Sequence, residues 1–146
     1  MNKVYMDNAA TTSVKPEVLN AMLPYFTEEY GNPSSVYSFA QKSRTAIDET
    51  RETIAGIIGA AKSNEIYFTA GGSESDNWAL KSAAFGLKDK GNHIITTRIE
   101  HHAILNTCAF LEKNGFEVTY LNVDNDGFVS LSDLENAITN RTILIS

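Results

Sequence analysis

The sequence predicts an α/β protein in which an amino-terminal helical arm precedes alternating strands and helices. Apolar residues recur at helical spacing in the first part of the chain. After residue 59, short runs rich in β-branched residues alternate with helical segments, and the loops between them are short. Because strands that are joined through helices run in the same direction, we expect these strands to form part of a mostly parallel sheet.

The composition is that of an ordinary globular protein with an acidic balance. The chain has 146 residues, of which 42% are hydrophobic, and a formal net charge of −6. This charge argues against a nucleic-acid partner, because affinity for phosphate backbones comes from clustered Lys and Arg. No apolar run approaches the ~20 residues of a membrane span, and the first residues lack a signal-peptide core. We therefore expect no membrane partner and a cytoplasmic location.

Residues 1–58 are predicted to form the arm and one long helix. Pro16 can open a short helix through Met22, since proline suits the first helical position. Gly31–Ser35 interrupts the chain, and a longer helical pattern then runs from residue 36 to residue 58. Gly59 is a plausible stop for this helix. We place the domain boundary here and assign residues 59–146 to a second domain.

The second domain alternates between strands and helices. The predicted strands cover residues 66–70, 93–98, 117–122 and 142–145, and the predicted helices cover residues 73–88, 103–113 and 131–138. Ser130 is expected to cap the last helix. The last strand is continuous apolar sequence, as in a buried parallel strand, and Ser146 follows it directly. We interpret the chain as the first part of a larger domain.

A glycine pair followed by a hydroxyl residue opens the first helix of this second domain. Gly71, Gly72 and Ser73 come directly after a predicted strand. Glycines let the backbone approach an anion, and the free amides of a helix start attract one, so this turn fits a phosphate group. The alternative is a simple helix cap, with Ser73 as the cap and Asp76 as its partner. The residues alone leave both interpretations open.

A histidine follows the next strand, at the same predicted edge of the sheet. Ligands of open α/β sheets lie at the carboxyl ends of the strands, which is where His101 falls. An imidazole there could stack on a flat ring or handle a proton. The alternatives are a helix cap or a zinc ligand. Zinc is disfavoured because His93 and the single cysteine, Cys108, lack the usual ligand spacing, so we predict no metal site.

Four motifs together resemble a known enzyme family. They are Tyr5–Thr12, Gly31–Ser35, Phe68–Asn77 and Glu100–Ile104, and their order and spacing are similar to those of cysteine desulfurases of the NifS/IscS type. These enzymes belong to the class V branch of fold-type I enzymes that depend on pyridoxal 5'-phosphate. The resemblance implies that residues 59–146 are the first part of the cofactor-binding large domain.

The resemblance also implies roles for individual residues. Gly72 and Ser73 match the turn that holds the cofactor phosphate, where family members commonly have Ala-Thr. His101 matches the catalytic histidine that stacks on the cofactor ring and assists proton transfer. The residues that match the substrate side of the family's pocket are Asn8, Ala9, Thr11 and Asn32.

The implied activity is the conversion of L-cysteine to L-alanine. The sulfur would pass as a protein persulfide to an acceptor or scaffold protein for iron–sulfur cluster assembly or thiolation, and the parent would be a homodimer. The family's cofactor-bearing lysine and persulfide cysteine match no residue up to Ser146, so we expect the isolated chain to be inactive. The alternatives are a selenocysteine lyase or other class V transaminase, or a truncated, non-catalytic interaction module.

Overall fold

The computed structural model describes residues 4–146. Residues 1–3, with which the predicted arm begins, lie outside the described residues. The chain divides into two compact units, of which the first ends at Tyr67 and the second covers Phe68–Ser146. This division does not test the predicted domain boundary between residues 58 and 59, which stays a prediction.

The first unit is helical. Its α-helices are α1 (Pro16–Met22), α2 (Pro24–Thr27) and α3 (Gln41–Ile58), and its 3₁₀ turns are Ser38–Ala40 and Ser63–Glu65. The predicted ends of the first and third helices are confirmed at Met22 and Ile58. Gly59 ends α3 in the left-handed conformation, with φ of 71°, which glycine adopts without a steric penalty. The predicted long helix is regular only from Gln41 because a 3₁₀ turn precedes it.

The segment before α3 packs closely on the start of that helix. A Cβ atom on Gly31 would lie 2.6 Å from the Phe39 carbonyl oxygen, so only glycine allows this approach. The Ser43 hydroxyl donates to the Glu29 carbonyl over 2.6 Å, and the Lys42 ammonium pairs with the Glu29 carboxylate. These contacts fix the turn that contains Asn32 against the first turn of α3.

The second unit is a three-stranded parallel sheet with helices packed on it. Its elements are α4 (Gly72–Gly86), β1 (His93–Thr97), α5 (His102–Lys113), β2 (Glu117–Leu121), α6 (Leu131–Ala137) and β3 (Thr142–Ile145). The strand order is β2-β1-β3, and Ile94 in the central strand pairs with Val118 and Leu144. The α/β class and the parallel sheet are confirmed. The Ser130 hydroxyl caps α6 by accepting from the Asp133 amide at 3.2 Å, also as predicted.

The predicted strand at residues 66–70 was wrong, because those residues take no place in the sheet. The backbone at Ile66 is extended, with φ of −93° and ψ of 122°, as its β-rich neighbours suggest. An extended segment becomes a strand only when another strand accepts its hydrogen bonds. Among the described residues, β1 is paired on both sides, and neither β2 nor β3 pairs with this segment.

The core of the second unit lies between the sheet and two adjacent helices. Helix α4 contacts α5 and β3, while α5 also contacts β2. The buried core residues are Leu80, Ala84, Ile94, Ile104, Cys108, Leu111 and Phe116. Helices α4 and α5 thus pack against each other on this core.

A buried histidine joins all three strands through its side chain. His93 in β1 is only 4% exposed. Its Nδ1 atom lies 2.8 Å from the Thr142 hydroxyl of β3, and its Nε2 atom lies 2.8 Å from the Thr119 hydroxyl of β2. Both ring nitrogens are therefore hydrogen-bonded, as buried polar groups require. His93 has a structural role and is not available as a ligand.

The residues described contain no membrane-crossing helix and no grouped metal ligands. Within residues 4–146, no helix is both long enough and apolar enough to span a bilayer. In the same range, no three His, Cys, Asp or Glu side chains come together as a metal site would require.

We expect Cys108 to resist alkylation while the chain is folded. The side chain is fully buried, and burial, reinforced by the charges of Glu112 and Glu100, raises the pKa of its thiol to about 11. Only the thiolate reacts, so native labelling at pH 8 should be slow and labelling in urea fast. The pKa of this thiol is about 9 in the unfolded chain and about 11 in the folded chain. The contribution of the neutral thiol to the free energy of unfolding is therefore lost as pH rises from about 9 towards 11. Timed labelling with iodoacetamide across this range measures the effect, and equal rates with and without urea would contradict it.

Candidate functional site

The glycine turn forms the first residues of α4, and Gly71 is the N-cap residue. The Gly71 carbonyl accepts from the amides of Glu74 and Ser75, both at 3.1 Å. The Glu74 carboxylate reaches back and accepts from the Ala70 amide at 2.6 Å. The alternative of a cap by Ser73 with Asp76 is therefore wrong, because Gly71 is the N-cap residue and no side chain among the described residues makes a cap bond there.

This arrangement leaves hydrogen-bond donors exposed at the start of α4. Among residues 4–146, no group accepts from the amides of Gly71, Gly72 or Ser73, or bonds the Ser73 hydroxyl. A Cβ atom added at Gly71 or Gly72 would meet nothing within 4 Å, so the space beside the turn is open. Free amides at the positive end of a helix are the usual anion-binding arrangement.

His101 caps the start of α5. Its Nδ1 atom accepts from the Ala103 amide at 3.0 Å, and its carbonyl accepts from the Ile104 amide at 2.9 Å. The helix-cap alternative is thus confirmed. Because Nδ1 accepts a hydrogen bond, the neutral ring must hold its hydrogen on Nε2. The ring is exposed, so its face and the Nε2 hydrogen remain available to a ligand.

The structure brings Ser73 and His101 together in one open groove between α4 and α5. The groove has a volume of about 390 Å³. Its lining residues are Ser73, Asn77, Lys81, His101, His102, Ala103, Asn106, Thr107 and Phe110. The sequence prediction that the two turns lie together agrees with this placement. Only His101 follows a strand of the sheet, since residues 66–70 before the glycine turn form none.

Sequence reasoning missed the polar stripe along α4. Ser73, Asn77 and Lys81 are spaced by four residues, which puts them on one helix face. The Asn77 amide donates to the Ser73 carbonyl at 2.9 Å, and the Lys81 ammonium donates to the Asn77 amide oxygen at 2.8 Å. The spacing was visible in the sequence, whereas the neighbouring α5 that makes it a groove was not.

The residues predicted for the substrate side lie in the first unit. Asn8, Ala9 and Thr11 are exposed, and the Thr11 amide donates to the Asp7 carbonyl at 3.4 Å. The Asn32 side chain accepts from the Ser34 amide at 2.9 Å. Both turns are thus locally ordered, and the role of these residues stays a prediction.

Comparison with known proteins gives the family. Residues 4–146 match the model of the aminotransferase class-V family. The chain belongs to this family. This class-V chain is 63% identical, over its whole length, to the cysteine desulfurase IscS of Clostridium botulinum strain Kyoto. It is 61% identical to the IscS of Methanosarcina thermophila over 98% of its length.

Solved structures give the same result for the fold. A NifS-like protein superposes with a TM-score of 0.92 at 39% identity, over 99% of the class-V chain and 39% of that protein. SspA in complex with cysteine superposes with a TM-score of 0.88 at 45% identity, over 97% of this chain and 40% of SspA. The resemblance to cysteine desulfurases is confirmed. The class-V chain spans 37% of the Clostridium relative and 35% of the Methanosarcina relative.

Proposed function

We propose that the class-V chain is the first part of a pyridoxal-phosphate-dependent cysteine desulfurase, which converts L-cysteine to L-alanine and passes the sulfur on as a protein persulfide. The observation that supports this most directly is the shared groove of Ser73 and His101. The 63% identity to a cysteine desulfurase and the similarity to a protein solved with cysteine support the substrate.

The residues at the start of α4 fit the cofactor's phosphate. The amides of Gly71, Gly72 and Ser73 have no acceptor among the described residues, and the Ser73 hydroxyl adds a further donor. The Glu74 carboxylate is already bonded to the Ala70 amide. A phosphate would gain charge-assisted hydrogen bonds from these groups at the positive end of the helix. When bound, the cofactor supplies an electron sink for the bonds broken at the substrate's α-carbon.

His101 is proposed to cover the cofactor ring and to donate a hydrogen bond through Nε2. Its Nδ1 atom is held by the Ala103 amide, which fixes both the tautomer and the ring's position. While Nδ1 holds this bond the ring is neutral, so the geometry supports stacking and hydrogen-bond donation through Nε2. The resemblance implies that the matching histidine also assists proton transfer, and protonation of the ring would require Nδ1 to release the Ala103 amide.

The remaining assignments concern substrate and partners. Asn8, Ala9, Thr11 and Asn32 are proposed to line the substrate side of the pocket. The parent protein is proposed to act as a cytoplasmic homodimer that hands sulfur to an acceptor or scaffold protein, in iron–sulfur cluster assembly or thiolation.

The direct test is an assay of the full-length protein. It should release equimolar sulfide and L-alanine from L-cysteine in the presence of a thiol, and only when pyridoxal phosphate is present. The 146-residue chain alone should release no sulfide above the free-cofactor background. A full-length protein that forms selenide from selenocysteine but no sulfide from cysteine would contradict the proposal and favour a selenocysteine lyase.

The Ser73→Ala variant of the full-length protein is expected to hold the cofactor more weakly. The change removes one phosphate donor and should cost about 1–3 kcal/mol of cofactor binding. The measurement is the cofactor dissociation constant from fluorescence titration. Ser82→Ala is the matched control, because Ser82 lies exposed on the same helix and outside the groove. Equal cofactor affinity in the two variants would remove Ser73 from the site.

A further inference from the structure

One lysine in the groove between α4 and α5 contacts both helices. The Lys81 ammonium of α4 lies 4.7 Å from the centre of the Phe110 ring of α5. It also donates to the Asn77 amide oxygen at 2.8 Å. Among residues 4–146, no carboxylate pairs with this ammonium. An ion pair therefore does not explain why this half-buried lysine is held here.

The contact between Lys81 and Asn77 fixes which way the Asn77 amide faces. An ammonium can only donate hydrogen bonds, so the end of the amide beside it must be the oxygen. The NH₂ end of the amide then faces the other way along the helix, where it donates to the Ser73 carbonyl at 2.9 Å. Without the ammonium, the amide is free to turn its oxygen toward that carbonyl, and two acceptors form no hydrogen bond.

The carbonyl of Ser73 belongs to the turn that is proposed to hold the cofactor phosphate. It is part of the planar peptide unit that joins Ser73 to Glu74, so holding it fixes the ψ angle of Ser73. In an α-helix this carbonyl accepts from the backbone amide four residues later, and its second lone pair is available to the Asn77 side chain. The hydrogen-bond chain that begins at Lys81 thus ends at a residue whose own amide and hydroxyl are the proposed phosphate donors.

We propose that Asn77 and Lys81 are positioning residues for the phosphate turn. Asn77 holds the backbone of Ser73, and Lys81 acts through Asn77 by keeping its amide in the donating orientation. A phosphate then meets donors that are already in place, so less binding free energy is lost in ordering the turn. For the identity of the ligand these roles rest on the proposed function, whereas the hydrogen-bond chain itself forms without a ligand.

The test uses Asn77→Ala and Lys81→Met in the full-length protein. Each change should weaken pyridoxal phosphate binding by about three- to tenfold, because one hydrogen bond that holds the turn is lost. Methionine keeps an apolar stem against the Phe110 ring, and alanine is a better helix former than asparagine. The melting temperature should therefore change little, whereas a purely structural role predicts that it falls. Fluorescence titration and thermal unfolding give the two quantities.

The double variant tests whether Lys81 acts through Asn77. If it does, adding Lys81→Met to Asn77→Ala should weaken binding no further, since the amide that Lys81 orients is already gone. Effects that multiply would mean that the lysine contacts the phosphate itself, which would overturn the positioning role. Ser82→Ala and Lys88→Met are the matched controls and should leave the affinity unchanged, because both residues are exposed and lie outside the groove.

Hydrogen exchange without cofactor separates these roles from the proposed function. In the cofactor-free full-length protein, the amides of residues 70–76 should exchange severalfold faster in Asn77→Ala and in Lys81→Met than in the two controls. If the protein bound no pyridoxal phosphate, the proposed function would fail, yet faster exchange would still show that the two residues hold the turn. Exchange no faster than in the controls would overturn the proposal, whatever the cofactor affinity.

Discussion

The His101→Asn variant is expected to keep the stability of the parent but to form alanine at least roughly 100-fold more slowly. Asparagine is among the best helix-capping residues, so it can replace Nδ1 as the acceptor for the Ala103 amide. It has no ring to cover the cofactor and no titratable nitrogen. The measurements are single-turnover alanine formation and urea unfolding of the full-length protein.

His101→Ala is the companion variant that separates the two roles of this residue. Alanine removes the cap as well as the ring, so it should lose about 1 kcal/mol of stability in addition to the turnover. Cofactor retention should change little in either variant, because the phosphate donors at the start of α4 are intact. If His101→Asn turns over like the parent, His101 is only a helix cap.

Gly91→Ala is expected to destabilise the second unit by about 3 kcal/mol or more. A Cβ atom at this position would lie 2.2 Å from the Arg141 carbonyl oxygen and 2.9 Å from the Arg141 Cα atom. The obstacle is backbone, which cannot rotate aside as a side chain would. The same carbonyl accepts from the His93 amide at 3.0 Å, so moving it also disturbs the start of β1 and β3.

Gly86→Ala is the matched control for this prediction. An added Cβ atom at Gly86 would meet nothing within 4 Å, and the residue ends α4. Alanine there should be neutral or stabilise the chain by up to about 1 kcal/mol. Urea unfolding of both variants gives the two free energies. Equal midpoints and slopes for both variants would show that the Arg141 backbone yields more easily than the close approach indicates.

Local sequence signals predicted those parts of the fold that depend on local interactions. The left-handed glycine at residue 59 and the proline at residue 16 each fixed a helix end through their own backbone preferences. Strand β1 was predicted from its run of β-branched residues. The structure buries this run, as expected for a central strand of a parallel sheet. The segment at residues 66–70 has similar composition, but strand formation depends on a partner far away in sequence, which composition does not reveal.

Part of the candidate site was also predictable from the sequence. The sequence placed His101 and the glycine turn together, and both line one groove. The reason it gave, two neighbouring strand ends, holds only for His101, because residues 66–70 form no strand. The cap by Ser73 with Asp76 was not realised, because α4 begins one residue earlier, with Gly71 as its N-cap residue. Lys81 was not singled out from the sequence, and only the position of Phe110 on the adjacent helix shows that its ammonium is held.

The hydrogen bonds of His93 to Thr119 and Thr142 have a consequence for the tautomers of its ring. Each threonine hydroxyl that His93 contacts can either donate or accept. When the ring hydrogen moves from one nitrogen to the other, Thr119 and Thr142 need only rotate their hydroxyls and exchange roles. Thr142 also accepts from the Thr139 amide at 2.8 Å, which leaves its hydroxyl one lone pair and its hydrogen for the histidine. Either tautomer can therefore keep both hydrogen bonds to the ring, and the alignment of β1 with its two neighbours does not depend on which one is present.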